Sequence, residues 1–597
     1  MSTRSRPAAR LQGPPASPAR HPTLVHALAA AAHHASGVTF VDLAERETHL
    51  PWRSVVERAA RAASAYRGWG VQPGDRVAIV LRTEPAFLDA FFGAWLAGAV
   101  PVPLYPPVRL GRREEYLEGT ARMLRVSGAR LLVAGGGAGR LLGEVVARAN
   151  PPLGSRDAAA LLDGAASALD PETVAGSLGL VQFSSGSTVA PKAVALTHAA
   201  LQAQADALID LVAPTPSDVL VSWLPLYHDM GLIGGLLGAM SYPGPLVLIA
   251  PEHFLARPAL WPRAVARHRG TISPAPSFAY AYVAERVGDA DLAGLDLSCW
   301  RLALDGAEPV SCEAMRRFAA RLAPSGFDAA ALRPVYGLSE AALAVTFGAG
   351  GRPPGGLGVD ALGLARDGRV EPGDREVASV GVPIPGFEVE VRGDDGALLE
   401  EDRLGRIWAR GPSLLRELLG DPEGTARLLV GGWLDTGDLG FVHGGQLHVH
   451  GRAKDVVIIR GANHAPEEFE AALAGIEGLR PGCAVAVGAA LPGVEGEAVL
   501  LLAEVAGAGG GDDARLAATV AGAVLARTGV APAAVRLLAA GTLPRTSSGK
   551  LRRQEALRRF QAGTLAPPDP SGPVQLAAWA ARSQLAALQT WLRRAVK

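Results

Sequence analysis

The stretch VQFSSGSTVAPKAVALTH, Val181–His198, joins small and hydroxyl-bearing residues at positions 184–188 to a lysine at position 192. A Walker loop runs from a strand directly into a helix, which carries the lysine in its first turn. Here Lys192 is followed by the apolar run AVAL, and Thr197 has the side chain of a helix N-cap. We therefore predict that the loop joins two strands and holds phosphate with backbone N–H groups, hydroxyls and one cation. On its own, the loop fits an ordinary polar turn equally well.

Composition and charge narrow the class of protein. The 597 residues are enough for several domains, or for one large and one smaller domain, and 49% hydrophobic against 19% charged residues can fill a sizeable core. Lys and Arg number 58, as do Asp and Glu, so the chain lacks the basic excess of a nucleic-acid binder. Cys299, Cys312 and Cys483 have no paired spacing and predict neither disulfides nor a metal knuckle. We expect a reducing, cytoplasmic setting.

Two uncharged runs, Ala90–Val108 and Met230–Pro251, have the length of a membrane span. A spanning helix needs continuous apolar residues, whereas prolines interrupt the first run and glycines and prolines interrupt the second. We predict a buried helix followed by a buried strand in each run, and no membrane span.

The first residues are rich in arginine and proline. Residues 1–41 contain no acid, a composition compatible with a transit peptide. The repeated prolines among the first 22 residues disfavour the amphipathic helix of such a peptide. We predict a disordered tail over residues 1–20 instead.

Strand-like and helix-like runs alternate between residues 37 and 345, as in DRVAIVL followed by EPAFLDAFFGAWLAG. This alternation predicts an α/β fold, with two doubly wound sheets in a large N-terminal domain over residues 21–451. Short strands and turns beyond residue 378 predict a small β-barrel-like subdomain within it. Residues 452–563 predict a smaller, mobile α+β C-terminal domain, with a helix over PEEFEAALAGI. Residues 564–597 predict a linker and an amphipathic helix.

Two chemistry-bearing side chains precede a Gly-rich apolar helix in WLPLYHDMGLIGG, residues 223–235. His228 and Asp229 stand just before the predicted helix N-terminus, which favours anions. A lone histidine in such a place is more often a core residue, so this motif by itself is a weak sign of a site.

Two strand-to-helix crossings occur in LALDGAEPVS, residues 302–311, and LRPVYGLSEAA, residues 332–342. Ligands of open α/β sheets bind at the carboxyl ends of strands. Tyr336 would offer an aromatic face to a base, and Glu340 a carboxylate to a hard cation such as Mg²⁺. The other interpretation is plain turn chemistry, with Ser339 capping a helix.

The segment LDTGDLGFVHGGQLHVHGRAKD, residues 434–455, predicts a two-residue hairpin at Gly444–Gly445. In that register Asp438 faces Gly451, and Arg452 lies beside Asp438. A carboxylate accepts two hydrogen bonds at once, which suits the diol of a ribose, and a guanidinium is a fork of donors. A surface ion pair of little energy is the alternative.

Lys550 lies in LPRTSSGKLRR, residues 543–553, between a strand-like run and a basic helix. We expect this Ser/Gly loop to be mobile, so that its ammonium group can swing into a distant site. As an isolated feature, Lys550 fits a surface lysine better.

Together and in this order, the five motifs resemble the adenylate-forming superfamily of acyl ligases, luciferases and nonribosomal peptide adenylation domains, over nearly all of residues 37–563. Four stretches are more similar to the fatty acyl-AMP ligase branch than to acyl-CoA ligases. They are PVPLYPPVRLGRREEYL (101–117), SFAYAYVAERV (277–287), SCWRLALDGAEPV (298–310) and RGANHAPEEFE (460–470).

The resemblance implies a role for each motif. Phosphates of ATP would be held by Ser184, Ser185, Gly186, Ser187, Thr188 and Lys192. Adenine would contact Asp305, Gly306, Ala307, Glu308, Tyr336 and Gly337, and ribose would contact Asp438 and Arg452. The implied catalytic residues are Lys550, His228 and Glu340, of which Glu340 ligates Mg²⁺; the hinge is Lys454, and the acyl tunnel includes Ser277 and Phe278.

The resemblance further implies an enzyme of fatty acid metabolism that converts a fatty acid, with ATP and Mg²⁺, to an acyl-adenylate and pyrophosphate. The acyl group would then pass to the phosphopantetheine thiol of an acyl carrier protein of a polyketide or nonribosomal peptide synthase. Residues 348–374 occupy the place of a family insertion that restrains domain motion, although a floppy surface loop is the alternative. Two other hypotheses stay open: a long-chain acyl-CoA ligase, and a non-catalytic nucleotide-binding or carrier-docking protein.

Overall fold

The computed structural model of the chain describes all but several short segments. The described residues are 6–107, 112–166, 177–184, 191–350, 355–459, 462–491, 497–507, 513–546, 549–568 and 573–595. Within them, the predicted α/β fold is confirmed, with a large N-terminal domain and a smaller C-terminal domain.

A four-stranded parallel sheet forms one layer of the large domain. Its inner strands are mostly apolar because alternate side chains enter two different cores: Val77 and Ile79 pack into one, and Ala78 and Val80 into the other. In spatial order the strands are Val100–Leu104, Arg76–Val80, Leu131–Ala134 and Ser155–Asp157. Helices of the same layer are Trp52–Gly68, Pro85–Leu96, Arg113–Ser127, Gly136–Leu141 and Gly143–Ala149.

A second, larger sheet has a parallel centre. In spatial order its parallel strands are Gly37–Val41, Leu246–Ile249, Leu220–Ser222, Ile272–Ala275, Leu302–Asp305 and Leu332–Gly337. Its helices are Leu24–Ala31, His198–Val212, the π-helix Met230–Leu237, Gly238–Ser241, Pro251–Ala256, Leu260–His268, Ser277–Arg286, Asp289–Leu292 and Cys312–Leu322. Because parallel strands point the same way, the loops after residues 222, 275, 305 and 337 open at one edge of the sheet.

Antiparallel strands continue this sheet beyond its parallel centre. In spatial order they are Ala344–Phe347, Arg375–Pro383, Gln446–Arg452, Trp433–His443, Gly405–Arg410 and Glu388–Arg392. The strands predicted beyond residue 378 are therefore present, and they extend the parallel sheet directly. Shorter pieces are the strands Glu47–Pro51, Glu417–Leu418 and Leu429–Val430 and the helix Pro422–Leu428.

The N-terminal tail is ordered where the structure describes it. Arg10–Gln12 is an antiparallel strand paired with Glu388–Arg392, and Ala9 and Leu11 are buried. The predicted disorder over residues 1–20 is therefore wrong for residues 6–20, because the tail covers an otherwise unpaired sheet edge. Residues 1–5 lie outside the described part of the chain.

The opening stretch folds as predicted around its loop. Leu178–Phe183 and Ala193–Thr197 are antiparallel strands. The Thr197 hydroxyl accepts a main-chain N–H and so caps the helix His198–Val212. The loop residues Ser185, Gly186, Ser187 and Thr188 lie outside the described residues.

The small domain is built on a three-stranded sheet. Its strands are Leu479–Ala489, Ala498–Val505 and Ala534–Leu538, beside a pair formed by Val457–Ile459 and Ala462–His464. Its helices are Pro466–Ala471, Asp513–Thr528 and Arg553–Gln561. The first helix was expected to reach Ile476 but ends at Ala471, because turns replace it before Gly475, which has a positive φ of 78°.

Residues 348–374 are structured where they are described. Gly356–Val359 pairs antiparallel with Arg375–Pro383. The helix Ala361–Asp367 contacts the small-domain strand Ala462–His464. A floppy loop is therefore excluded for residues 355–374.

The two uncharged runs form buried elements of the large domain. The first contains the end of helix Pro85–Leu96 and the strand Val100–Leu104; the second contains the π-helix Met230–Leu237 and the strand Leu246–Ile249. Helix followed by strand is the predicted arrangement in both. Across the described part of the chain, no helix combines the length and apolarity needed to cross a membrane.

Candidate active site

One cleft of about 2250 Å³ lies between the two domains at the open edge of the parallel strands. It collects most of the predicted site residues from both domains. Those that line it are Ser184, Lys192, His228, Ser277, Phe278, Ala307, Glu308, Tyr336, Gly337, Glu340, Asp438, Arg452, Lys454 and Lys550.

Asp438 holds two donors at once. The Arg452 Nε lies 2.9 Å from its Oδ1, and the Tyr336 hydroxyl donates to its Oδ2 at 2.7 Å. Asp438 is the main reason that the pKa of Arg452 is raised above its ordinary value. Burial, and then Asp438, raise the pKa of the Tyr336 hydroxyl well above its ordinary value. The carboxylate keeps free lone pairs, so it can still accept a ligand hydroxyl.

The hairpin register differs from the prediction by one residue at this point. His443 pairs with Gln446 as expected, but Asp438 pairs with Arg452 instead of Gly451. The cause is a register shift between Leu439 and Gly440. The predicted neighbourhood of Asp438 and Arg452 is present, as a direct cross-strand pair.

His228 and Asp229 form one hydrogen-bonded unit with a distant serine. The His228 Nδ1 lies 2.7 Å from Asp229 Oδ1, which also accepts the Met230 N–H at 2.7 Å. The Ser339 hydroxyl donates to Asp229 Oδ2. The interpretation of Ser339 as a helix cap is therefore wrong, because its hydroxyl binds Asp229.

The second predicted crossing turns back instead of entering a helix. A short 3₁₀ turn, Ser339–Ala341, is followed by the antiparallel strand Ala344–Phe347. The turn is tight enough that a Cβ at Gly337 would overlap the main-chain oxygen of Leu343. This turn brings Glu340 to the cleft.

Lys192 and Glu340, predicted to bind phosphate and metal respectively, lie close together. The Lys192 Nζ lies 3.9 Å from Glu340 Oε1. The loop is closed at its base by a hydrogen bond from the Ser184 N–H to the Lys192 carbonyl at 3.0 Å. The lysine predicted to bind phosphate and the glutamate predicted to bind Mg²⁺ are thus direct neighbours.

The segment Asp305–Glu308 is held by the helix that begins at Ser277. The Ser277 hydroxyl donates to Asp305 at 2.7 Å, and the Phe278 N–H donates to Glu308 Oε1 at 2.6 Å. Burial raises the pKa of Asp305 well above its ordinary value, and it also raises the pKa of Glu308. Ala307 has a φ of 69°, a strained conformation for a residue other than glycine.

The two predicted tunnel residues have different surroundings. The Ser277 hydroxyl binds Asp305 and accepts the Ser311 N–H at 3.1 Å, so it holds the nearby segment in place. The Phe278 ring packs edge-on against Trp223, with ring centres 5.9 Å apart. Both line the cleft, and Asp305 lies buried behind it.

Lys550 reaches the same cleft from the small domain. Its loop is closed by a hydrogen bond from the Thr546 N–H to the Lys550 carbonyl at 2.7 Å. Burial lowers the pKa of Lys550, while the nearby charges of Asp229 and Glu308 oppose this and Arg452 reinforces it. The ammonium group therefore lies within electrostatic reach of side chains on the large domain.

The connection between the domains is the short turn Ala453–Asp455. Its Lys454 lines the cleft, and the Lys454 carbonyl accepts a hydrogen bond from the Gln554 side chain at 3.3 Å. Burial lowers the pKa of Lys454, and Arg452 lowers it further. The predicted hinge residue thus lies where the chain passes from one domain to the other.

Two contacts at the domain junction were not anticipated. Arg559 of the small domain lies 2.8 Å from Glu115 of the large domain, and Arg112 donates to the Thr542 carbonyl at 2.7 Å. Charged residues on a predicted helix give no sign of a partner hundreds of positions away. Asp229, in contrast, stands next to His228 and is identifiable by that position.

Several known proteins are similar to this chain in sequence. The AMP-binding enzyme family matches residues 28–419. The chain is 37% identical to a Caulobacter vibrioides protein provisionally named an acyl-CoA synthetase, over 91% of this chain and 96% of that protein. It is 30% identical to a medium-chain fatty acid–acyl carrier protein ligase of Moorena producens, with the same two coverages of 91% and 96%.

A solved structure shows the same likeness in three dimensions. It comes from studies of fatty acyl-adenylate ligases from E. coli and L. pneumophila and has 34% sequence identity with this chain. The TM-score is 0.84, over 92% of this chain and 99% of that one. The chain belongs to the AMP-binding, adenylate-forming ligases and, within them, to the fatty acyl-AMP ligase branch.

Proposed function

We propose that this ligase converts a fatty acid and ATP to an acyl-adenylate and pyrophosphate, and then transfers the acyl group to the phosphopantetheine thiol of an acyl carrier protein with release of AMP. The observation that supports the first step is the meeting of the two domains in one cleft, which Lys550 of the small domain lines together with the pair Asp438 and Arg452 of the large domain. A carboxylate and a triphosphate are both anions. Their approach therefore needs preorganised positive charge and hydrogen-bond donors.

In this proposal the large domain binds ATP as a substrate. Asp438 and Arg452 bind the ribose hydroxyls, and the ring of Tyr336 with the segment Asp305–Glu308 contacts adenine. Lys192 contacts the β- and γ-phosphates together with the loop residues at 184–188. The side chains on this side of the cleft are held by bonds within the protein, so they need little rearrangement when the nucleotide binds.

Glu340 suits a magnesium ion that ATP itself helps to hold. Within the described residues there is no cluster of three His, Cys, Asp or Glu side chains that could hold a metal. Mg²⁺ commonly takes one or two carboxylates together with substrate phosphates and water. One carboxylate beside Lys192 fits that pattern. When bound, the ion would neutralise charge on the departing pyrophosphate.

The first reaction is a displacement at phosphorus. An oxygen of the fatty acid carboxylate forms a bond to the α-phosphorus, and the bond from that phosphorus to the pyrophosphate oxygen breaks. Pyrophosphate leaves with the electron pair. His228 and Lys550 stabilise the charge where the two anions meet, so alignment and electrostatics supply most of the catalysis.

Two observations support a carrier protein as the acyl acceptor. The helix Ala361–Asp367 contacts Ala462–His464, and Arg375 binds Glu468 of the small domain. These contacts join the segment 348–374 and the strand after it to the small domain, as expected for the insertion that the resemblance to fatty acyl-AMP ligases implies. The Moorena producens relative is by name a ligase that uses an acyl carrier protein. An acyl-CoA ligase is the second candidate, because the Caulobacter relative provisionally carries that name.

Product analysis tests both steps. The chain is incubated with ATP, Mg²⁺ and fatty acids of increasing length, with and without coenzyme A or a phosphopantetheinylated carrier. We expect acyl-adenylate that accumulates regardless of coenzyme A and is consumed by the carrier. Rapid formation of the coenzyme A thioester would overturn the carrier proposal. A lack of pyrophosphate with every acid would overturn the adenylation proposal.

A further inference from the structure

Asp229 is a buried carboxylate next to His228 in the cleft. Only 7% of the residue is exposed, although it lines the cleft. Both carboxylate oxygens are occupied: Oδ1 contacts His228 and Met230, and Oδ2 accepts from Ser339. The negative charge of this carboxylate would repel both anionic substrates of the proposed reaction, ATP and the fatty acid. Its fixed position in the cleft therefore requires a physical explanation.

The cationic and hydrogen-bond donor groups around Asp229 explain why this carboxylate is tolerated in the cleft. Burial alone would raise the pKa of Asp229, yet this pKa lies well below its ordinary value because His228, Ser339 and Lys550 favour the charged form. The charge of Asp229 acts in turn on Lys550 and favours its protonated form. Asp229 thus contacts the large-domain histidine directly and lines the same cleft as the small-domain lysine.

We propose that Asp229 is the positioning residue of adenylation: it orients the His228 ring and retains the Lys550 ammonium in the cleft. An Nδ1–H bonded to Asp229 leaves the His228 Nε2 as the ring nitrogen free to meet a ligand. The bond from Ser339 ties the same carboxylate to the turn that carries Glu340. One buried charge therefore links three groups that contact the reactants in the proposed reaction.

This inference rests on the adenylation proposed above, and its test separates the two. Asp229→Asn keeps the size of the side chain and an oxygen for the Met230 N–H but removes the charge. Ser339→Ala is the matched control, because it removes one partner of Asp229 and leaves the charge. The readout is pyrophosphate release at saturating ATP and fatty acid, measured from pH 6 to pH 10.

The expected result follows from the charges that face Lys550, which are Asp229, Glu308 and Asp438 against Arg452. Removing one of the acids lowers the pH at which Lys550 loses its proton. The alkaline limb of the rate profile should move down by about one pH unit in Asp229→Asn. The limb should stay in place in Ser339→Ala, whatever happens to the rate.

If Asp229→Asn folds and the alkaline limb of its rate profile stays at the wild-type pH, the inference is overturned. If Asp229→Asn does not fold, Ser339→Ala and Asp229→Glu provide the test, because both variants keep the negative charge at position 229. A displaced alkaline limb of the rate profile in either variant would also overturn the inference. A wild-type chain that releases no pyrophosphate with any fatty acid refutes the proposed function instead.

A separate observation concerns the helix Pro573–Ala595, which we call the strap. It lies on the large domain although it follows the small domain in sequence. Trp579 is 2% exposed there, beneath the Arg113 guanidinium at 5.5 Å, and the Ser583 hydroxyl accepts the Glu144 N–H at 3.3 Å. A Cβ at Gly143 would overlap the strap backbone, so the strap is in close contact with the helix Gly143–Ala149.

The chain just before the strap belongs to the small domain. Leu565 packs against its apolar core, and Pro568 lies beside Gly541. Five Cα-to-Cα steps separate Pro568 from Pro573, which is a reach of at most about 18 Å. We infer that the docked strap tethers the small domain and limits how far Lys550 can move away from the cleft.

Spin labels at the exposed positions Leu398 and Leu525 would report the distance between the domains. Trp579→Ala should release the strap from the large domain, which would appear as faster hydrogen exchange of the strap amides. The same variant should broaden the distribution of distances between the two spin labels. Leu585→Ala, at a strap position that is 56% exposed, is the matched control and should change neither. If Trp579→Ala leaves the strap docked, Gly143→Val displaces it by overlap. A released strap with an unchanged distance distribution would overturn the inference.

Discussion

Replacing Lys550 with alanine removes a positive charge that the small domain places in the cleft. In the structure Asp229, Glu308 and Asp438 favour that charge, and Arg452 opposes it. One preorganised donor in a site shielded from water contributes roughly 3–4 kcal/mol to the transition state. Since about 1.4 kcal/mol corresponds to a tenfold change in rate, we expect Lys550→Ala to slow adenylation by about 10²- to 10³-fold.

ATP binding should change little in the same variant, because the proposed nucleotide contacts belong to the large domain. Pyrophosphate release at saturating substrates measures the rate, and calorimetric titration with a non-hydrolysable ATP analogue measures binding. Arg558→Ala is the control: it removes a charge from the helix that follows Lys550, where the Arg558 side chain is 54% exposed. Unchanged turnover in Lys550→Ala, or an equal loss in the control, would refute the assigned role.

Three further variants test the cleft and the domain junction. Asp438→Asn should weaken nucleotide binding by about 10- to 100-fold, as expected for the loss of a charged hydrogen bond of roughly 1.5–3 kcal/mol, and nucleotide titration measures this. Gly337→Ala should lower the unfolding temperature and the activity, because its Cβ overlaps main chain. Arg375→Met leaves Glu468 buried without its cation and should lower the unfolding temperature in a thermal melt, whereas Arg366→Met at an exposed ion pair should not.

Elements that depend only on residues close together in the sequence could be predicted from local turn and capping rules. The pair Gly444–Gly445 predicted the hairpin, and the hairpin brought Asp438 and Arg452 together. Thr197 predicted the start of the helix His198–Val212. In both cases turn and capping chemistry act over only a few positions, so the sequence order contains the necessary information.

Contacts between distant parts of the chain could not be predicted in this way. The bond between Asp229 and Ser339 joins residues 110 positions apart, and it exists because two parallel strands of one sheet, Leu220–Ser222 and Leu332–Gly337, end at the same edge. The pair Glu115 and Arg559 forms only when the small domain packs on the large one. The N-terminal strand depends equally on a partner almost 400 positions away, so its composition suggested disorder.

The oxygen atoms of the fatty acid provide the most direct test of the central claim, which is that the carboxylate attacks the α-phosphorus of ATP in this cleft. A fatty acid labelled with ¹⁸O in both carboxyl oxygens is converted in the presence of ATP, Mg²⁺ and an acyl acceptor, and the released AMP is analysed by mass spectrometry. The account predicts AMP that carries one ¹⁸O atom, with the other retained in the acyl carbonyl. Unlabelled AMP, or acyl transfer without AMP, would contradict it.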